Sequence, residues 1–216
     1  MLAGGRSSRM AGQPKPQLRV GDATMLEHVL LAVRRAGTRV VVGPPQPVPD
    51  GVLRIQEQPP ASGPVAGLAA GPVNVPASSG PVAALAAGVA QTSAEVVVVV
   101  AADLPFLTSE LIDAVVAGLG EDVDVALVVD ENGREQFLLS AWRTGRLRTA
   151  LTELEPLPGR AMKDLVRALR IARIRVSAPQ NAPVPWTDVD TPAELDRARS
   201  QSSEVDHRQN EGFPAK

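Results

Sequence analysis

Four stretches of the sequence carry residue types that do chemistry, at spacings that let them act together. The first runs Leu2-Ala3-Gly4-Gly5-Arg6-Ser7-Ser8-Arg9-Met10, with Lys15 following. Adjacent glycines let a backbone approach a phosphate closely, and successive N–H groups form an anion cradle. Arg6, Arg9 and Lys15 add three cations, and Ser7 and Ser8 add hydroxyls. The stretch is neither a P-loop nor a dinucleotide fingerprint, since G-x-x-x-x-G-K-[ST] and G-x-G-x-x-G are both missing. A basic N-terminus that binds nothing is the plain alternative.

The second is Asp103, at the end of the β-branched run Val96 to Val100 and just before Leu104-Pro105-Phe106. A carboxylate after a buried strand sits where a hard cation is held against nucleotide phosphates, although Asp before Pro is also an ordinary turn residue. The third is Trp186-Thr187-Asp188-Val189-Asp190-Thr191-Pro192. Carboxylates at i and i+2 of an extended segment point the same way, which suits a metal or a ribose hydroxyl. The alternative is a pair of solvated Asp at a helix start, where the dipole favours them. The fourth is a repeat. Ser62-Gly63-Pro64-Val65-Ala66-Gly67-Leu68-Ala69-Ala70-Gly71 recurs from Ser79 to Gly88, changed only at Gly67, which becomes Ala84. Two copies are too few for a solenoid, and a loop followed by a helix with Pro at its first position accounts for each. His28 and His207 read as structural and terminal, and Trp142 and Trp186 as packing residues.

These stretches need elements to hold them. Thr24-Met25-Leu26-Glu27 is a capping box, after which Leu26, Val29, Leu30 and Val33 recur at helical spacing, with Gly37 placed to end the helix. Strands are expected at Thr38–Val42, Val52–Ile55, Glu95–Ala102, Val123–Val129, Gln136–Ala141 and Ile171–Val176, the fourth and fifth joined by a tight turn at Asn132-Gly133. Helices are expected at Val82–Gln91, from Thr108 or Ser109 to Gly118 or Gly120, at Thr144–Leu154, at Ala161–Leu169, and after the capping box Thr191-Pro192-Ala193-Glu194. The run before Asp103 suits a strand covered on both faces in a parallel sheet. Alternating strands and helices give an α/β fold: one Rossmann-like three-layer domain with a mostly parallel sheet and helices on both faces. Such sheets bind ligands at the carboxyl ends of their strands. Residues 1–200 form that domain, and the polar stretch 201–216 reads as a disordered tail.

Composition excludes much else. The chain has 216 residues with 22 Lys+Arg against 24 Asp+Glu, so no basic excess points to nucleic acid. No cysteine excludes disulfides, thiolate metal sites and a thiol nucleophile. Two histidines leave almost no room for a His-based metal cage, and the five aromatic residues argue against base-stacking platforms. The longest apolar run, Val96 to Ala102, is far short of the ~20 residues that span a bilayer. With no leader pattern either, a cytoplasmic protein without membrane contact is the expectation.

In this order, the four motifs resemble the molybdenum cofactor guanylyltransferase family of the nucleotidyltransferase superfamily. That family carries L-A-G-G-x-S-x-R-M-G, a nearby Lys, G-P-L-A-G, a strand ending in D-x-P-F/Y, and N-x-N/D-T-P. The matching residues here are Leu2 to Met10, Lys15, a G-P-V-A segment, Asp103 to Phe106 and Asp188 to Pro192. The resemblance spans residues 2 to 200 and implies a fold of the nucleotide-diphospho-sugar transferase type. It implies transfer of GMP from GTP to the terminal phosphate of molybdopterin cofactor, with Mg²⁺ as cofactor and molybdoenzymes or cofactor-delivery proteins as further partners. On that basis Lys15, Arg9 and Asp103 are the catalytic residues. Leu2, Ala3, Gly4, Gly5, Lys15, Glu57, Gly80 and Asp103 would bind nucleotide, Glu57 through a guanine edge. Asp103 and Asp190 would hold the metal, supported by Asp188. Related cytidylyl or sugar-phosphate transfer, or a silent nucleotide-binding protein, are the competing readings. The second repeat copy, 22 positions from Pro81 to Asp103, reads as the working segment. The 17 residues added by the first copy read as a surface insertion holding no element of its own.

Overall fold

The computed structural model describes residues 1–4, 14–58, 75–76 and 79–211. Nine strands and six helices alternate among them. The strands are β1 (Arg19–Val20), β2 (Ala23–Thr24), β3 (Arg39–Gly43), β4 (Val52–Gln58), β5 (Val75–Pro76), β6 (Val96–Val100), β7 (Val125–Val129), β8 (Glu135–Arg143) and β9 (Ile171–Arg175). The helices are α1 (Met25–Ala32), α2 (Pro81–Val89), α3 (Ser109–Ala117), α4 (Thr144–Glu153), α5 (Met162–Val166) and α6 (Pro192–Glu211).

Two sheets meet at a single residue. β3, β4 and β5 pair in parallel, and β6, β8, β7 and β9 form the second sheet in that order. Leu2 lies between them, bridged in parallel to Val42 of β3 and Ala101 after β6. The expectation of a mostly parallel sheet needs one correction. β8 runs antiparallel between β6 and β7, so β6 has a parallel neighbour only at Leu2. The cause is the β7–β8 hairpin, a return too short for a crossover. Asp130 closes it by accepting from Asn132 and Arg134 N–H at 3.0 and 2.8 Å, with Gly133 at φ 80° supplying the left-handed turn.

Helices cover both faces. Leu85 of α2, Leu147 and Leu151 of α4 and Leu165 of α5 bury one face together with Trp142. Val29 of α1 and Leu111, Ile112 and Val115 of α3 bury the other against Val100, Ala126 and Val128. The Trp142 indole N–H donates to Ser140 Oγ at 2.8 Å, which gives the fully buried ring its polar partner. His28 Nε2 lies 2.8 Å from the Val20 carbonyl, a structural contact. At the amino end of β7, buried Asp124 accepts from Arg146 Nε at 3.0 Å and from the backbone and side chain of Arg170. Those hydrogen bonds hold its carboxyl well below the usual range.

Several elements differ from expectation; β4 runs on to Gln58 and β8 to Arg143. α1 starts at the capping box, where Thr24 Oγ1 accepts from Glu27 N–H and Glu27 Oε2 from Thr24 N–H. It ends at Ala32, well before Gly37, because Arg34 and Ala36 close tighter turns onto Leu31 and Val33. α5 is shorter than expected and stops at Val166. β5 pairs with β4 at Glu57 and Gln58, so the residues ahead of the second repeat copy do hold an element. The first copy lies outside the described residues. Finally, α6 continues to Glu211, past the expected end near 200. It packs Leu195 and Ala198 against Val20 and Met25, and Arg199 Nε donates to the Arg19 carbonyl at 3.1 Å. Docking on the β1–β2 hairpin thus carries a polar sequence into helix.

Candidate functional site

The carboxyl ends of the central strands bring the chemistry-bearing residues together. Ala3 N–H donates to the Val42 carbonyl at 2.8 Å, and Ala102 N–H to the Leu2 carbonyl at 3.0 Å. The glycine motif therefore leaves the sheet beside the segment that carries Asp103. Gly43, which the sequence reading did not single out, makes this approach feasible. A Cβ there would stand 2.8 Å from the Ala3 carbonyl carbon, closer than any side chain allows. Its signal was a lone glycine closing the run Val40 to Val42 ahead of Pro44-Pro45. Gly4 is exposed just past the sheet. Gly5 and Arg9 lie outside the described residues.

Asp103 follows β6 by three residues, and its carbonyl accepts from Val189 N–H at 3.2 Å. Val189 is fully buried among Val20, Met25, Leu195 and Ala198. That anchor lays the 188–190 segment alongside Asp103, near enough for the charges of Asp188 and Asp190 to act on it. Glu194, in the first turn of α6, fixes the second of them. Its Oε2 accepts from Asp190 and Thr191 N–H, each at 2.8 Å.

Lys15 completes the group. It opens a short 3-10 turn, Lys15–Gln17, between Pro14 and Pro16, and its ammonium pairs with Asp190 Oδ1. The Lys15 side chain is only 16% exposed against 42% for Asp190. Burial pushes the Asp103 carboxyl up to about 6; Lys15 and a backbone hydrogen bond oppose that rise, and Asp188 and Asp190 add to it. Asp103, Asp188, Asp190 and Lys15 thus share one electrostatic environment, in which Asp103 carries negative charge that its surroundings do not fully offset.

That environment suits a hard divalent cation. Among the described residues no cluster of three or more His, Asp or Glu is arranged to cage a metal. Mg²⁺ is commonly held by one or two carboxylates, with waters and substrate phosphates filling the remaining positions. Asp103, buried and under-compensated, with Asp190 beside it, offers two carboxylates that fit that description.

Gly80 and Glu57 stand at the same end of the molecule. Gly80 begins α2 at φ 89°, ψ 171°, a conformation open essentially to glycine alone. Ser79, just before it, accepts from Gly159 N–H at 2.9 Å. The second repeat copy therefore supplies the N-terminus of α2. Glu57 lies in the last turn of pairing of β4, opposite Val75.

The chain has known relatives. Over residues 1–78 and 72–175 the chain matches the model of the MobA-like NTP transferase domain. The chain belongs to that family. The two matches of this MobA-like chain overlap at 72–78, between the repeat copies. A probable molybdenum cofactor guanylyltransferase of Mycobacterium bovis is 32% identical over 200 residues, covering 90% of this chain and 89% of the relative. Molybdopterin-guanine dinucleotide biosynthesis protein A from Archaeoglobus fulgidus superposes with a TM-score of 0.67 at 17% identity, covering 94% and 97% of the two chains. The 2-C-methyl-D-erythritol 4-phosphate cytidylyltransferase of Thermus thermophilus gives 0.63 at 20% identity, covering 94% and 97%. The fold is that of the nucleotide-diphospho-sugar transferases, and this MobA-like protein is a nucleotidyltransferase.

Proposed function

We propose that this MobA-like nucleotidyltransferase moves GMP from GTP to the terminal phosphate of molybdopterin cofactor and releases pyrophosphate. The observation that carries the reading is the convergence of Lys15, Asp103 and Asp190 beside the exit of Leu2–Gly4 from the sheet. Support for the guanylyl assignment comes from the relative of 32% identity. The acceptor phosphate is ionised at neutral pH, so its oxygen attacks the α-phosphorus with no general base, and the bond to the β-phosphate bridging oxygen breaks. The demands are positioning and charge neutralisation.

The residues divide that work. Backbone groups of Leu2, Ala3, Gly4 and Gly5 hold the nucleotide, and Gly80 brings the start of α2 close to it. Glu57 accepts from the guanine edge. Lys15 and Arg9 neutralise the triphosphate and the departing pyrophosphate. Asp103 and Asp190 would hold Mg²⁺, with Asp188 supporting, and the Lys15 ammonium, paired with Asp190 in the free protein, is placed to turn to the nucleotide phosphates. Bound Mg²⁺ supplies charge neutralisation at the phosphates.

We assign the reaction to the cytoplasm, with molybdoenzymes or cofactor-delivery proteins receiving the product. No helix among the described residues is long and apolar enough to cross a membrane. The test is pyrophosphate release from GTP, CTP, UTP and ATP, each with Mg²⁺ and molybdopterin cofactor. GTP should be preferred strongly. Preference for CTP would overturn the guanine assignment in favour of cytidylyl transfer, and binding without pyrophosphate release would leave a silent nucleotide-binding protein.

A further inference from the structure

Past the carboxyl end of β3 lies a buried polar side chain that the transfer reaction has not yet used. Gln46 follows Gly43 by three residues, in Pro44-Pro45-Gln46-Pro47, and is only 4% exposed. Prolines on both sides stiffen this stretch, and a residue ahead of proline is held to extended backbone. Two tertiary contacts then pin Gln46. Arg54 of β4 donates from Nη1 to its carbonyl at 3.0 Å, and Gln17 donates from Nε2 to its Oε1 at 3.2 Å.

A third contact fixes which way both amides face. Gln17 Nε2 also donates to the Pro47 carbonyl at 3.3 Å, and a carbonyl can only accept. The Gln17 nitrogen therefore faces this loop, and Gln46 must turn its oxygen to meet it. That leaves the Gln46 nitrogen over. It is shut off from solvent and has no hydrogen-bond partner among the described residues. A buried donor without an acceptor bears the full cost of its desolvation, and an acceptor from outside the chain accounts for it.

The place of Gln46 narrows what that acceptor is. Gln17, which holds its side chain, stands two residues from Lys15, the cation assigned above to the phosphates. Arg54, which holds its backbone, belongs to β4, and β4 ends at Glu57 and Gln58. Gln46 thus stands between the turn assigned to the phosphates and the strand end assigned to the base. A neutral amide donor is a weak partner for a triphosphate, which charged donors bind better, and a good one for a base carbonyl.

We propose that Gln46 is a base-specificity residue, its Nε2 donating to O6 of guanine. The inference rests on the guanylyl reading above and adds to it a donor that complements the acceptor Glu57. Guanine carries an acceptor at its 6-position, where adenine carries an amino donor. An amide whose orientation Gln17 fixes bonds the first and sets donor against donor with the second. The contact that selects GTP therefore also rejects ATP.

The test compares the full chain with Gln46→Met, which roughly keeps the volume and removes the amide. Binding of GTP, ITP, 6-thio-GTP, ATP and CTP is measured by calorimetry with Mg²⁺, alongside thermal melts without nucleotide. GTP and ITP share O6, and each should lose about ten-fold in affinity in the variant. The sulfur of 6-thio-GTP is a weak acceptor, so this nucleotide should bind the natural protein less tightly than GTP and lose little in the variant. The Tm should hold or rise, because a stranded donor is gone and Gln17 keeps the Pro47 carbonyl. Gln46→Glu at pH 8 keeps an oxygen for Gln17 without a donor, and should show the same loss of GTP. Unchanged GTP affinity in both variants would overturn the proposal, as would an equal loss for GTP and 6-thio-GTP. Either result leaves the guanylyl reading standing, whereas preference of the natural protein for CTP would overturn that reading and this inference with it.

Discussion

Lys15 and Asp190, 175 positions apart, form an ion pair beside the segment that carries Asp103. The pair joins the two ends of the domain at the chemical site. Lys15 is the more buried partner, so its ammonium depends on Asp190 for compensation.

Lys15→Met should lower kcat by about 10²-fold, because a cation facing the developing pyrophosphate charge contributes chiefly in the transition state. Steady-state kinetics with GTP check this. An increase confined to KM would make Lys15 a ground-state binder instead.

Asp103→Asn should abolish transfer yet stabilise the metal-free protein. Burial raises the Asp103 carboxyl from 3.8 to about 6, so the folded state holds its proton more tightly than the unfolded chain. Stability contributed at low pH is then lost as pH climbs from about 4 to about 6, and is flat above. The loss is about 1–3 kcal/mol, given ~1.4 kcal/mol per pKa unit as a ceiling. Melting curves from pH 4 to 8 should show that fall in the natural protein and not in the variant, and Mg²⁺ should raise Tm more at pH 8 than at pH 4.

Asp124→Asn should destabilise the fold by about 1–2 kcal/mol without touching the transfer site, since the charge-assisted hydrogen bonds from the half-exposed Arg146 and Arg170 to the buried carboxylate are weakened. The sign with pH is opposite to that of Asp103. Hydrogen bonds lower the Asp124 pKa, so its contribution is present above the unfolded value and is lost as pH falls through the acid range. Urea unfolding at pH 7 and pH 3 should show the two proteins converging at the lower pH.

Gly80→Ala should cost about 1–3 kcal/mol and weaken nucleotide binding. The space is open, because a Cβ would meet Gly159 and Arg160 backbone only at ordinary contact of 3.7–3.9 Å. The cost is therefore conformational: φ 89° with ψ 171° is strained for any residue bearing a Cβ. Gly88→Ala, at a helical position of α2, should show no such conformational penalty. Parallel melts of the two variants separate a backbone effect from a packing effect.

Several of these elements were legible in the sequence because their causes are local. Thr24 with Glu27 and Thr191 with Glu194 set helix starts through side chains three residues away, and the hairpin at Asn132-Gly133 is closed by Asp130 within the same turn. Strand-end placement of Asp103 followed from the β-branched run before it. What the sequence alone did not contain was any consequence of contact across the sheet. The antiparallel β8 between β6 and β7, the need for glycine at Gly43 where Ala3 passes, and the helix beyond residue 200 docked on β1 depend on neighbours far along the chain. The same holds for the pairing of Lys15 with Asp190, which belong to separate motifs. Motif order determined the family, since those signals are short and self-contained. Tertiary structure alone decided which charges meet, because burial and Coulomb pairing act through space rather than along the backbone.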